Sequence, residues 1–312
     1  MKTVLEKFPF DELLGSLKND FERNLQEKIS GRSDRFLIER VVSGGKRLRP
    51  LLLLSVFKAL GGREYQKALD VAVALELAHS ASLVHDDIVD LDKNRRGGRT
   101  LWYQIGMGKA VLQGHRIINF AFEIVLNIGV EMARIFVDAW ERASKGILNE
   151  VLNRSVLTER LYMLTIREKT ASLFEAAAHA GALLAGAGPD LTELMRRYGS
   201  EVGTVYQLAD DLEELFVKKR MGRVFYVAQE MRDRFLQLLI ASKTGNTRGV
   251  FRAVAPTNPG EEFLKRQMVE KLRSAIDLAS DPAIPETPYK QLLQHLPIYF
   301  VRQMFGEARR HL

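Results

Sequence analysis

Long apolar stretches that contain no proline dominate the pattern of hydrophobic and polar positions. No proline lies between Pro50 and Pro189, although the chain has nine. Because proline lacks a backbone donor and clashes inside a helix, this gap favours long helices. We find no sustained period-two alternation and no hairpin signal. The pattern therefore predicts an all-α fold, with residues 1–312 forming one helical domain.

Four segments carry the helix signal most clearly. The run YQKALDVAVALELAHSASLVHDDIVDLD, residues 65–92, is apolar on nearly every face and too long for a strand, which predicts a buried central helix. Three further segments read as helices: 145–153 (KGILNEVLN), 168–188 (EKTASLFEAAAHAGALLAGAG) and 191–219 (LTELMRRYGSEVGTVYQLADDLEELFVKK). Loops are predicted at 242–261 and 280–289, and neither is typical of a linker between domains.

Composition narrows the classes of function. The 312 residues are 46% hydrophobic, enough for a large core, and the net charge of +7 suits anionic partners such as phosphates, nucleic acid or an acidic membrane surface. The absence of cysteine excludes disulfides, thiolate catalysis and zinc sites built on sulfur. The N-terminus has no signal-peptide core, and we find no apolar window of 18 residues. We therefore expect a cytoplasmic protein that does not span a membrane.

The segment HDDIVDLDKNRRGGRT, residues 85–100, places an acidic cluster before a basic one. Asp86 and Asp90 are four residues apart, so on a helix they share one face, and Asp87 flanks them. Buried like charges are costly, so something positive must compensate. Oxygen ligands at this density suit Mg²⁺, which takes one or two carboxylates plus substrate phosphates. A solvated helix end is the alternative, which the core-like residues before the cluster disfavour.

A second acidic cluster repeats this spacing. YQLADDLEEL places Asp210, Asp211 and Glu214 at positions i, i+1 and i+4, again at the end of an apolar-leaning helical stretch. Two such segments could face each other across one cavity and hold several Mg²⁺ ions around a diphosphate. The pair is a stronger signal than either cluster alone.

Basic residues extend this picture to phosphate binding. SGGKRLRP, residues 43–50, combines two glycines with cations, and the glycines would let the backbone approach a ligand closely. Taken singly, each of these cations reads more simply as a solvated surface residue. The candidate cations are Lys46, Arg47, Arg49, Arg95, Arg96 and Lys169, and Thr170 adds a hydroxyl beside the last of them.

Four motifs together resemble the trans-isoprenyl diphosphate synthases, of the polyprenyl and geranylgeranyl diphosphate synthase type. They are GGKRLRP, ELAHSASLVHDDIVDLDKNRRGGRT, KTASLF and YQLADDLEE, in that order within residues 40–215. The resemblance implies an all-α homodimer whose helices surround a deep central cavity. It also implies Mg²⁺-dependent condensation of an allylic prenyl diphosphate with isopentenyl diphosphate.

The resemblance also assigns residues. Asp86 and Asp90 would bind Mg²⁺ on the allylic diphosphate with Asp87 in support, and Asp210 would take the facing metal position. Asp211 and Glu214 complete the implied metal set. The implied contacts to isopentenyl diphosphate are Lys46, Arg49, His79 and Arg96, and those to the allylic diphosphate are Arg95, Lys169, Thr170 and Gln207.

The helix before Asp86 should line the pocket for the growing chain. In the family, large aromatic residues four and five positions before the first aspartate stop growth early. Here those positions are Ser82 and Ala81, which are small, and Ala78 lies about a turn deeper. We therefore expect a product of more than fifteen carbons.

The second half departs from the family pattern. Glu214 stands where aspartate is usual, Ile147 and Glu150 replace a glutamine and an aspartate, and His115 replaces an aspartate. The segment LFVKKRMGRVFYVAQEM, residues 215–231, lacks the usual Gly-Lys-x-Thr-x-Pro element. These departures leave open a prenyltransferase with another acceptor: a second allylic diphosphate, or an aromatic or glycolipid hydroxyl.

Two further alternatives rank lower. A non-catalytic subunit or nucleic-acid binder is disfavoured because aromatic residues are not interleaved with the basic patches and no nucleic-acid module is recognisable. A terpene cyclase would need a carboxylate where Lys218 stands. The late segment 288–312 is amphipathic and basic, which favours core packing and leaves peripheral membrane contact as the alternative.

Overall fold

The computed structural model describes residues 9–152, 158–220 and 259–307, with the side chains of 214–220, 259 and 305–307 outside that description. Glu214, Lys218 and most of the predicted loop at 242–261 therefore lie outside the described side chains. The described part of the chain confirms the all-α prediction. Its helices are α1 (Phe10–Ser30), α2 (Arg35–Val42), α3 (Leu48–Ala59), α4 (Tyr65–Val89), α5 (Leu101–Ile105), α6 (Met107–Ile128), α7 (Val130–Leu152), α8 (Glu159–Ile166), α9 (Ser172–Leu184), α10 (Pro189–Arg220), α11 (Pro259–Ala279) and α12 (Pro288–Glu307).

Helix α4 is the central helix that the sequence predicts. It packs against α1, α3, α6 and α9, which explains why it is apolar on nearly every face. Helix α4 is also long enough, and its mean hydropathy is high enough, to cross a membrane. The sequence search missed this window because it looked for 18 apolar residues in a row. However, 78% of that apolar window is buried inside the protein, as expected of a helix at the centre of a core.

A short β-hairpin follows α4, contrary to the expectation of no hairpin. Strand β1 (Asn94–Arg95) pairs antiparallel with β2 (Gly98–Arg99), and the two residues between them have positive φ, 50° at Arg96 and 77° at Gly97. Positive φ at both central positions is what a type I′ hairpin turn requires. The prediction was wrong because two-residue strands are too short to show alternation. The turn fixes where Arg96 lies.

A π-helical turn joins α8 to α9 and carries two of the predicted site residues. It spans Arg167–Ala171 and so includes Lys169 and Thr170. Gly146 of α7 lies against it: a Cβ there would be 2.5 Å from the backbone nitrogen of Lys169. Gly146 therefore lets α7 come close to the backbone of this turn, and π-helical turns occur often at functional sites.

The C-terminal helix α12 belongs to the core. Leu292, Leu293, Leu296 and Phe300 are fully buried, and the hydroxyl of Tyr198 on α10 donates to the Leu293 carbonyl at 2.6 Å. The described part of the late segment therefore packs into the core, which was the favoured of the two predictions for it. Helix α11 packs against both α10 and α12.

Candidate active site

A central cavity of about 670 Å³ brings together motifs that are far apart in the sequence. Loop 43–47 and helices α3, α4, α7, α8 and α10 contribute to its wall, together with the π-helical turn and the hairpin. A concave site with convergent polar groups is the expected form of a ligand site. The predicted site residues that line it are Lys46, Arg49, His79, Ser82, Asp86, Asp90, Arg95, Arg96, Lys169, Thr170, Gln207, Asp210 and Asp211.

The acidic pair at the end of α4 lies on the cavity wall, and the pKa of Asp86 is raised there. Burial raises the pKa of Asp86, the Lys169 ammonium opposes that rise, and Asp90 adds to it. The Lys169 Nζ lies 4.0 Å from Asp86 Oδ2, too far for a direct hydrogen bond. A carboxylate held in this way would gain from a further positive charge in the cavity.

Asp87 is placed differently from its neighbours. Its side chain is buried, does not line the central cavity, and forms an ion pair with the Nε of Arg95. Arg95 in turn lines the cavity, and its Nη2 lies 3.7 Å from Asp92 Oδ2. Asp87 therefore positions the hairpin arginine, and its support of the metal ligands stays a prediction.

Two buried side-chain nitrogens elsewhere on the cavity wall lack partners among the described residues. The Arg49 side chain is buried with its guanidinium 4.4 Å from the centre of the Phe174 ring, and its Nε has no hydrogen-bond partner among the described residues. The Nδ1 of His79 is likewise unpartnered there. Burial, with the nearby Arg49 and Arg96, holds the pKa of His79 well below its usual range. An anion between these groups would satisfy the donors and relieve the repulsion.

Arg47 lines the cavity, but two carboxylates of the protein hold its guanidinium. It has a left-handed backbone with φ of 60°, and its buried guanidinium bonds Glu76 Oε1 at 2.7 Å and Glu22 Oε1 at 2.8 Å. Burial alone would lower its pKa, but these two carboxylates raise it. A Cβ on Gly45 would be 2.6 Å from Arg47 Nη1. The close approach of Arg47 thus gives this glycine a structural reason, and the expected approach of a ligand to the loop stays a prediction.

Lys169 is anchored by one of the residues that depart from the family pattern. Its Nζ lies 2.7 Å from the Oε2 of Glu150 on α7. Burial would lower the pKa of Lys169, and Asp86 and Glu150 together raise it. A carboxylate therefore still reaches this lysine. Ile147, also a departure, lines the cavity as an apolar wall residue.

The second acidic cluster is tied into a hydrogen-bonded network. Thr170 Oγ1 donates to Gln207 Oε1 at 2.8 Å, and Gln207 Nε2 donates to Asp211 Oδ1 at 3.0 Å. The hydroxyl of Tyr162, on α8, donates to Asp211 Oδ2. Sequence reasoning missed Tyr162 because no charge cluster surrounds it. Asp210 lines the cavity beside them.

Below the charged cavity lies a small apolar void of about 10 Å³. Ala78 lines it, whereas Ser82 lines the charged cavity and Ala81 is fully buried and lines neither. Leu173 lines both spaces and so separates them. The large residues around the void are Phe122, Phe136 and Trp140.

The donor set fits Mg²⁺ that arrives with a diphosphate. Among the described residues, no three acidic or histidine side chains lie close enough to hold a metal ion by themselves. Mg²⁺ bound through phosphates needs only one or two carboxylates, and the cavity offers Asp86, Asp90 and Asp210 on two walls. The fold and this cavity define an all-α enzyme site for phosphorylated substrates.

Comparison with known proteins identifies the family. The family model described as polyprenyl synthetase matches residues 35–232. A geranylfarnesyl diphosphate synthase of Aeropyrum pernix is 30% identical over 260 residues, covering 79% of this chain and 80% of that protein. An octaprenyl diphosphate synthase of Haemophilus influenzae is 30% identical over 278 residues, covering 81% and 83%. The chain belongs to the polyprenyl synthetase family, whose prenyl diphosphate synthases are prenyltransferases.

A solved structure supports the fold assignment. A polyprenyl synthase from Caulobacter crescentus CB15, crystallised with calcium and isoprenyl diphosphate, superimposes with a TM-score of 0.69 at 24% identity. The superposition covers 94% of this chain and 96% of that one. At this identity the likeness establishes the isoprenoid synthase fold.

We predict that His79 makes the fold sensitive to acid. Because its folded pKa lies below its unfolded value, the unfolded chain binds the extra proton as pH falls through about 6.5, which destabilises the fold. Between about pH 7.5 and about pH 5.5 this lowers the free energy of unfolding by roughly 1 kcal/mol. Urea unfolding should show that the free energy of unfolding of His79→Gln falls correspondingly less over this pH range.

Inorganic diphosphate provides the control for this measurement. An anion that neutralises Arg49 and Arg96 should raise the pKa of His79 and shrink the difference between wild type and variant. An identical pH dependence for wild type and His79→Gln without diphosphate would contradict the prediction.

Proposed function

We propose that this protein is a Mg²⁺-dependent synthase that condenses an allylic prenyl diphosphate with isopentenyl diphosphate into a prenyl diphosphate of more than fifteen carbons. One observation carries the proposal. A single cavity has an acidic pair, Asp86 and Asp90, at the end of α4, and about two turns earlier on the same helix it has His79, whose Nδ1 is unpartnered. The Nε of Arg49, on α3, is also unpartnered among the described residues. This arrangement provides one place for a metal-bound diphosphate and another for a metal-free one.

The acidic side would take the allylic substrate. Asp86 and Asp90 of α4 and Asp210 of α10 would hold Mg²⁺, which when bound draws electron density from the leaving diphosphate. Lys169 and Arg95 line the same region and would bind the remaining diphosphate oxygens by charge-assisted hydrogen bonds. These contacts grow stronger as negative charge develops on the leaving group.

The basic side would orient the second substrate. Lys46, Arg49, His79 and Arg96 would hold its diphosphate so that the double bond points at the allylic carbon. Leu173 and Ile147 supply apolar wall next to the charged groups and would keep water from the allylic cation. The departing diphosphate then accepts the proton that the new product loses, so no side-chain nucleophile is required.

The anion site also bears on the choice of acceptor. An aromatic or glycolipid hydroxyl would leave the donors of Arg49 and His79 unsatisfied, whereas isopentenyl diphosphate would satisfy them. The site therefore favours a diphosphate acceptor. Assays with isopentenyl diphosphate and with a second allylic diphosphate separate the two remaining candidates.

A homodimer is the proposed assembly, and exposed apolar residues support it. The large apolar side chains exposed in the described residues concentrate on the consecutive helices α6 and α7. Such patches commonly mark protein interfaces. A twofold contact between two copies would cover this face on both. The residues are Met107, Leu112, Leu126, Val130, Val137, Leu148, Val151 and Leu152.

The activity test uses Mg²⁺, labelled isopentenyl diphosphate and allylic primers of several lengths. We expect label to enter longer products, and Asp86→Asn to lower turnover at least about a hundredfold because it removes charge at the metal position. Asp138→Asn, which changes an exposed carboxylate on α7, is the matched control. No incorporation with any primer would contradict the proposal.

Product length should respond to the apolar void in both directions. Ala78→Phe adds far more volume than the void of about 10 Å³ can hold, so it should push side chains toward the charged cavity and shorten the products. Phe122→Ala removes a floor residue, so we expect longer ones. Thin-layer or mass analysis of the dephosphorylated products measures both, and an unchanged length distribution in both variants would contradict this assignment of the floor.

Assembly is tested by mass in solution. Light scattering on wild type should give about twice the 35.4 kDa of the chain, and Leu126→Glu combined with Val137→Glu should give the monomer mass. Phe36→Glu, an equally exposed apolar position on α2, should leave the mass unchanged. A wild-type monomer would exclude the proposed dimer.

A further inference from the structure

A second cavity, of about 470 Å³, borders the central one, and we call it the outer cavity. Helices α2 and α4, the β-hairpin and the start of α5 contribute to its wall. Four residues line both spaces and so separate them: Gly44, Leu83, Arg95 and Arg96. The outer cavity therefore lies outside the proposed substrate site but shares two of its arginines.

The charges that line the outer cavity are unequal, with four arginines against two carboxylates. Both carboxylates are already paired within the protein. Glu39 accepts from the Nε of Arg35 at 2.7 Å, and Asp87 pairs with Arg95. Neither carboxylate is therefore left to neutralise the other arginines of this wall.

The other three arginines, Arg40, Arg96 and Arg99, form no ion pair among the described residues. Arg96 Nη1 donates to the Ser43 carbonyl at 3.2 Å, and Arg99 Nη1 donates to Asn94 Oδ1 at 3.0 Å. Both acceptors are uncharged, so the positive charges remain. An anion in the outer cavity would gain charge-assisted hydrogen bonds from these groups.

Ser80 gives the outer cavity a polar group without a partner. Its side chain lies fully buried on α4 and lines this cavity, and its Oγ has no hydrogen-bond partner among the described residues. A helical serine can donate to the carbonyl four residues earlier, as Ser55 does to Leu51 at 2.6 Å. Because buried polar groups are rarely left unpaired, the Ser80 hydroxyl points to a ligand.

Apolar side chains complete the wall of the outer cavity. Val84 and Leu101 are buried together in one apolar cluster and line it. Phe36 also lines it, with 69% of its surface exposed and its ring centre 6.0 Å from the guanidinium of Arg40. The volume of the cavity is within the range of pockets that hold small organic molecules. It therefore suits a ligand with an anionic group and an apolar segment.

We propose that the outer cavity binds a small ligand that carries a phosphate group and an apolar segment, and that this ligand weakens the binding of diphosphates in the central cavity. Arg40, Arg99 and Ser80 would contact the phosphate, and Phe36 and Val84 the apolar segment. Several unpaired arginines favour a phosphate, which carries nearly two charges, over a singly charged carboxylate. The effect on the central cavity rests on the proposed function, whereas the binding site does not.

The shared wall gives the physical reason for the coupling. Arg95 and Arg96 line both cavities, and one N–H group cannot point fully at two anions. Two anions on the two sides of this wall also repel each other. Since such coupling is reciprocal, a diphosphate in the central cavity should weaken the ligand of the outer cavity by the same factor.

The binding test uses hexyl phosphate, which has a phosphate group and an apolar segment but no allylic group, with the full chain and no metal. Titration calorimetry should show tighter binding than for inorganic phosphate. Arg40→Gln combined with Ser80→Ala should weaken this binding at least about tenfold, because two polar contacts are lost. Arg63→Gln, at an exposed arginine that lines neither cavity, is the matched control and should equal wild type.

Melting temperatures keep the test independent of folding. Ser80→Ala removes a buried hydroxyl that has no partner, so without ligand this variant should be at least as stable as wild type. Hexyl phosphate should then raise the melting temperature of wild type more than that of the variant. An equal rise in both would contradict the contact with Ser80.

Kinetics test the coupling between the two cavities. Hexyl phosphate should raise the KM for isopentenyl diphosphate in wild type and have little effect in the double variant. Equal inhibition of both proteins would place the ligand in the central cavity and overturn the inference, as would equal affinities in calorimetry. If wild type makes no longer product, the proposed function fails, and calorimetry still decides whether the outer cavity binds the ligand.

Discussion

The cost of dehydrating charges around one cavity is the constraint on which the rest of the structure depends. The same apolar helices partly bury the carboxylates at the end of α4. They also partly bury the arginines of the loop before α3 and of the β-hairpin. Burying an ionised group without a partner costs several kcal/mol. The fold tolerates this arrangement because some of the charges pair within the protein and because a metal and diphosphates would neutralise others.

Internal pairs determine which charges remain directed at ligands. Arg47 binds Glu76 and Glu22, and Asp87 binds Arg95. Each pair fixes a backbone segment: Arg47 fixes the loop before α3, and Asp87 fixes the hairpin. Arg47, Glu76 and Arg95 themselves line the cavity, beside residues that have no such pair. The internal pairs therefore hold charged side chains in place on the cavity wall at a lower cost of dehydration.

The sequence predicts much of the fold and the site, and the reasons are physical. The buried helix α4 could be predicted because a helix buried on all sides requires an apolar run like the one before Asp86. The shared face of Asp86 and Asp90 could be predicted because residues four apart lie on one side of a regular helix. The direction in which Asp87 points could not be read, since it depends on the type I′ turn that brings Arg95 back. Tyr162 was missed because its contacts are with Asp211 and Phe263, which lie far along the chain and leave no local pattern.

The departures from the family pattern also acquire a physical meaning when their contacts are considered. At Glu150 the charged group is retained, and its oxygen reaches Lys169 at 2.7 Å. His115 does not line the cavity. The centre of its ring lies 5.3 Å from that of His85, the residue just before Asp86. One departure thus preserves an electrostatic contact, and the other alters the packing behind the acidic pair. Divergence at these two positions is therefore compatible with the same diphosphate chemistry, because neither removes a carboxylate or an arginine from the cavity.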